Sequence, residues 1–287
     1  MDDVSLPKYW DWVARSSFHL RQEKPALTDI FYRHIVTNLV SQLTTIKPSR
    51  ILKLDAYNEA TNTQYGFHML DGEADLILID ISGGIAKKAA RRAMGRGVYN
   101  MTHIIVGDFR RLPIRSSAVD MSCSFGSIEH VPEYDRAFYE QTRIVKPGGE
   151  VLVGVPNMAN ISLRALSTKI LHMLGLMRKM TNPEKHFLRR QLVTLAKNMK
   201  LDGIVISGYH LFPKQLRWMD LWMESRDIST LRRSRLFRWL LKTITIMELR
   251  YAFTRRFAEM IIVKGVRPPV QDTGLRSLED EVIGIRL

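Results

Sequence analysis

Three short apolar runs, 104–106, 119–125 and 151–155, punctuate the middle of the chain, and a turn signal closes each. Continuous apolar runs of this length suit strands buried on both faces of a parallel sheet. Between the second and third, an amphipathic stretch over about 134–145 ends in Lys146-Pro147-Gly148-Gly149, and a cation followed by Pro and Gly stops a helix. Strand, turn, strand, helix, strand is the grammar of a doubly wound α/β fold. The same reading predicts strands from Arg50, over 74–80 and over 203–207, a closing strand over 257–264, and helices over about 83–96 and 188–199. Residues 1–47 read as two helices, with Leu27, Phe31, Ile35, Leu39 and Leu43 recurring at helical spacing. A further helical face runs through Leu163, Leu166, Ile170, Leu174 and Met177.

Composition changes this picture little. A hydrophobic content of 45% and mean hydropathy of −0.13 describe a soluble globular chain with ample core. No window of about 18 apolar residues predicts a membrane span, and the acidic start Met1-Asp2-Asp3 lacks a secretory core. The single cysteine, Cys123, falls in a predicted buried strand and reads as a small core hydrophobe. A cytoplasmic location is expected, and no metal-spaced His/Cys cluster is legible.

Charge changes it more. The net charge of +14 favours a polyanionic neighbour. Residues 214–256 hold eleven Lys and Arg against four acids, half of that net charge. Leu236, Leu240, Ile244, Met247 and Tyr251 share one helical face, and Arg232, Arg235, Arg238 and Lys242 the other, with Trp218, Trp222 and Trp239 nearby. Three readings stay open: a packed insertion with solvated cations, a peripheral contact with an anionic membrane surface or lipid acceptor, and, less favoured, nucleic acid.

Candidate chemistry sits at strand ends, where open α/β sheets bind ligands. Asp80 ends one predicted strand, Asp108 follows another in Gly107-Asp108-Phe109 with Leu112-Pro113 beyond, and Ser124-Phe125-Gly126-Ser127-Ile128-Glu129-His130 closes a third. These motifs, in order with the Lys-Pro-Gly-Gly stop, resemble the class I S-adenosylmethionine-dependent methyltransferases, of the methyltransferase type 11 kind, over roughly residues 48–157.

The resemblance implies a seven-stranded, Rossmann-like sheet with N-terminal helices and a helical insertion before the last strand. It divides the chain into a helical cap at 1–47, a methyltransferase domain at 48–270 with insertions at about 158–200 and 211–255, and a tail at 271–287. It implies S-adenosylmethionine as cofactor, with Asp80 on the ribose, Ile81 against the adenine, and Asp108 and Phe109 at the adenine amino group. Ser124 and Phe125 would pass beneath the sulfonium. Glu129-His130 would open towards the acceptor, His130 as a base where one is needed. His186 has a counterpart near the acceptor pocket in relatives, and also reads as structural.

The family's first motif, acidic-x-Gly-x-Gly-x-Gly, is replaced. Lys53 takes the acidic place, and Asp55, Tyr57 and Glu59 stand where the glycines belong. Either the turn opens wider, with Asp55, Ala56, Tyr57 and Glu59 at the cofactor and one carboxylate on the methionine amino group, or the fold survives as a non-catalytic binding scaffold. A cavity sealed by Tyr57 and Glu59 would leave only the second. The Ser-Phe-Gly-Ser loop lacks the Pro-Pro-aromatic element that sandwiches an extruded base. The expected reaction is methyl transfer to a small-molecule or lipid-linked acceptor, with RNA methylation a further alternative.

Overall fold

The computed structural model describes residues 5–17, 19–70, 73–160, 173, 184–228 and 234–269. Seven strands form one sheet: β1 (Arg50–Leu54), β2 (Asp75–Asp80), β3 (Thr102–Val106), β4 (Val119–Phe125), β5 (Val145–Pro156), β6 (Asp202–Tyr209) and β7 (Met260–Val266), in the order β3-β2-β1-β4-β5-β7-β6. The first five pair in parallel, while β7 runs antiparallel to both β5 and β6. The winding reverses between β1 and β4, so the crevice at their carboxyl ends is the switch point where such sheets take ligands.

Successive strand residues point to opposite faces, and the continuous apolar runs therefore feed two cores. Ile51, Leu76, Leu78, Met121 and Cys123 pack beneath α2 (Leu27–Leu43) and α4 (Gly83–Gly95). Leu52, Leu54, Ile79, Val151, Val153 and Val155 pack against α5 (Tyr134–Arg143) and α6 (Arg189–Asn198). The remaining helices are α1 (Ser5–Ser16), the single turn α3 (Tyr57–Ala60), and α7 (Lys214–Glu224) with α8 (Arg235–Arg250) between β6 and β7. Tyr32, Phe212, Phe237 and Leu241 form a third, smaller core where α2, α7 and α8 meet.

One expectation needs correction. The helix before β5 ends at Arg143, and Lys146-Pro147-Gly148-Gly149 opens the strand instead of preceding it. Pairing with β4 shifts between Val119 and Met121, Gly148 takes φ +79°, and a Cβ on Gly149 would stand 2.4 Å from the Asp120 carbonyl oxygen. The glycines thus admit an irregular strand entry. In α8, Phe237, Leu241, Thr245 and Glu248 face inward, while Leu236, Met247 and Tyr251 are exposed. Glu248 sets this rotation by accepting the backbone N–H of His210 at 2.6 Å and of Leu211 at 2.8 Å. Arg232, the whole face of Leu163, Leu166, Ile170, Leu174 and Met177, and the expected tail at 271–287 lie outside the described residues.

Candidate functional site

At the tip of β1, Asp55 adopts φ +57°, the left-handed conformation for which glycine is usually chosen and which Asp tolerates. Lys53 is fully buried, and its Nζ donates to the Asp55 carbonyl at 2.9 Å while pairing with Asp55 Oδ1 at 3.2 Å and Glu59 Oε2 at 3.0 Å. Burial disfavours the ammonium, but Asp55 and Glu59 outweigh it and hold the Lys53 pKa above the usual lysine range. Asp55 Oδ1 accepts the Tyr57 N–H at 3.0 Å, and its other oxygen accepts the Ser127 hydroxyl, tying the loop to the end of β4. A network of side chains does here what glycines would do by conformational freedom.

At the tip of β2, Asp80 accepts the Ala56 N–H through Oδ2 at 2.9 Å and the Ser82 N–H through Oδ1 at 2.8 Å. These bonds aim the carboxylate into the crevice, and burial pushes its pKa up to about 7. Beyond β3, the carboxylate of Asp108 is clamped by Arg110, whose Nε lies 3.0 Å and whose NH2 lies 2.7 Å from Oδ2. Burial alone would raise Asp108, but the guanidinium prevails and holds it below the usual carboxylate range. Arg110 also reaches Glu133 at 3.0 Å.

These tips border a cavity of about 400 Å³, within the range of small-molecule sites. Asp55, Tyr57, Asp80, Ile81, Asp108, Phe109, Phe125 and His130 line it together. Tyr57 and Glu59 do not seal it. Ala56, Glu59 and Ser124 do not reach it: all three are fully buried outside the lining, and Glu59 is spent on Lys53 and on the Gly66 N–H at 2.8 Å. Of the residues expected at a cofactor, these three thus stand behind the cavity wall and not in it. His186 is also outside the lining.

Sequence reasoning missed the rest of the wall. Leu6, Tyr9, Trp10 and Val13 bring α1 over the opening, Trp10 meeting His130 edge-on at 5.4 Å. Deeper in, Tyr32 stacks on His210 at 3.7 Å between ring centres, Arg217 lies 4.0 Å over Tyr32, and Tyr65 and Tyr209 complete an aromatic pocket. A Cβ on Gly154 would meet the Tyr209 hydroxyl at 2.4 Å, so that glycine makes room for the ring. Glu129, His130 and Glu184 bring ligand atoms within 4.8 Å of one another at the wall, a cation-capable group that spacing along the chain did not reveal.

Residues 61–153 match the family model of a methyltransferase domain, a match that begins just past the glycine-free turn. The ubiquinone/menaquinone biosynthesis C-methyltransferase UbiE of Brucella anthropi is 31% identical over 81 residues, covering 28% of this chain and 30% of that relative. The match thus spans under a third of the curated relative. A methyltransferase of Thermotoga maritima superposes with a TM-score of 0.55 at 13% identity, over 92% of this chain and 96% of the other. The phosphoethanolamine N-methyltransferase 2 of Haemonchus contortus, in complex with phosphomonomethylethanolamine and S-adenosylhomocysteine, superposes with 0.58 at 15% identity, over 93% and 61%. Strand order, domain match and structural neighbours agree: the chain has the class I S-adenosylmethionine-dependent methyltransferase fold.

Proposed function

We propose that this chain transfers a methyl group from S-adenosylmethionine to a small-molecule or lipid-linked acceptor. The observation that carries this reading is the open cavity at the switch point, bordered by Asp55, Asp80 and Asp108 despite the loss of every glycine in the first turn. The donor set fits the group. Carboxylates line a partly apolar cleft, as a cationic sulfonium and an ammonium require, and Asp80 is already aimed by two backbone N–H groups. Asp80 would hold the ribose hydroxyls, Ile81 and Phe109 the adenine, and Asp55 the methionine amino group.

The bound cofactor supplies an activated methyl group, so the chain's own task is positioning and exclusion of water. Trp10 and Val13 of α1 would close the cofactor side, and Tyr32, Tyr65, Tyr209 and His210 would shape the acceptor side; all six line the cavity. His130, which lines the cavity, would take a proton from an acidic acceptor. The likeness to a ubiquinone/menaquinone biosynthesis C-methyltransferase and to a phosphoethanolamine N-methyltransferase supports a small-molecule or lipid-linked acceptor.

Equilibrium dialysis with labelled S-adenosylmethionine tests the reading. Binding that Asp80→Ala weakens by about a hundredfold is expected, two lost charge-assisted bonds being involved. A folded protein that takes up no cofactor would leave the scaffold alternative.

A further inference from the structure

We propose that the outer faces of α7 and α8, with the turn that follows α8, dock on an anionic lipid bilayer surface. This inference does not depend on methyl transfer. The rotation fixed by Glu248 turns much of the apolar side of α8 away from the core. Helical spacing sets Trp239 and Ile246 opposite the buried Leu241 and Glu248, with Leu236 on one flank and Arg238 and Lys242 on the other. Leu236 is 73% exposed, Trp239 62% and, in the turn beyond the helix, Phe253 71%. Arg235 and Arg250 stand exposed at the two ends of the helix. The one acid of α8, Glu248, is buried, so its outer face presents only cations around an apolar ridge.

This combination selects the occupant. Cations flanking an exposed Trp and aliphatic side chains match anionic headgroups over an acyl boundary, where both terms add. A nucleic acid would satisfy the cations and leave Leu236 and Ile246 in water. A second copy of the chain, paired about a twofold axis, would bring the same arginines face to face. On α7, Lys214 and Arg217 line the cavity, while Trp218, next in sequence, is 52% exposed. A bilayer-held acceptor would therefore meet the protein close to its opening.

Flotation of the full chain with phosphatidylcholine vesicles, with and without phosphatidylglycerol, tests the proposal. Binding is expected only to the anionic vesicles. The pair Arg235→Glu and Arg238→Glu should lower the partition coefficient on the order of 25-fold or more. The pair Trp239→Ser and Phe253→Ser should lower it at least about tenfold, and the blue shift of tryptophan fluorescence that vesicles cause in the wild type should shrink in that variant. All four side chains are exposed, and unchanged far-ultraviolet dichroism and melting would show the variants folded. Equal flotation of variants and wild type, or equal binding to neutral vesicles, would overturn the proposal. So would salt-sensitive RNA binding without flotation, or light scattering that finds a dimer dissolved by the aromatic pair.

Discussion

The glycine-free turn works because a buried ion pair replaces backbone freedom. Removing one partner alone leaves the other charge uncompensated in the interior. Lys53→Met should therefore lower the unfolding free energy by about 3–5 kcal/mol, and the double variant Lys53→Met, Glu59→Leu should recover much of that loss. Urea denaturation of the four proteins closes the cycle, and additive losses would exclude the pairing. Asp80 allows a second prediction. Its folded pKa of about 7 lies above the ordinary value of 3.8, so the unliganded fold favours the protonated acid. The stability that this preference contributes is present below the unfolded pKa and is lost as pH rises through about 7. Denaturation at several pH values should thus show wild type losing stability relative to Asp80→Asn between about pH 4 and 7. Ribose hydroxyls require the ionised form, so cofactor affinity should rise with pH through about 7, and the variant should bind weakly with a flat profile. An identical profile in both proteins would remove Asp80 from the site.

Among the elements, α1 is held where it can gate the cavity. Asp11 Oδ1 accepts the Ser82 hydroxyl at 2.5 Å and the Gly84 N–H at 3.2 Å, so α1 is pinned across the start of α4. Asp11→Ala should cost about 1 kcal/mol of that attachment, a several-fold faster cofactor release by stopped flow with a nearly unchanged melting temperature. A release rate equal to wild type would show α1 to be packing alone. The strands were legible because apolar runs closed by turn residues have few other solutions; 119–125 coincides with β4, and α4 and α6 fall within a residue of expectation at each end. The Lys-Pro-Gly-Gly irregularity was not legible, since a helix stop and a bulged strand entry use the same residues. Nor was the rotation of α8. Periodicity allowed Leu236 and Met247 to face inward, and the tertiary bonds of Glu248 to the end of β6, with Phe237 and Leu241 in the small core, decide otherwise.

Across the whole molecule, the site draws on the two cores of the sheet and on the small helical core, and its legibility falls off from the first to the last. Asp55, Asp80, Asp108 and Phe109 could be found from position because a parallel sheet aligns its strand ends. Tyr32, His210 and Arg217 meet only where α2 and α7 pack at the end of β6, and nothing in their spacing announces it. That division makes the two halves separable by mutation. Phe237 packs edge-to-face on Phe212 at 6.0 Å in the small core that Tyr32 of the cavity wall shares, the wall proposed to face the acceptor. Phe237→Leu, a loss of about 1–1.5 kcal/mol, should loosen α2, α7 and α8 as a unit while β1 to β4 keep their protection. Hydrogen exchange should then accelerate tenfold or so in the helical layer alone. Affinity for S-adenosylhomocysteine should change by less than about twofold, while the KM for the acceptor rises, because the wall that moves is the one facing the acceptor. Uniform acceleration through the sheet, or an equal loss of cofactor affinity, would mean that the chain opens as one body and that the two halves of the site are not independent.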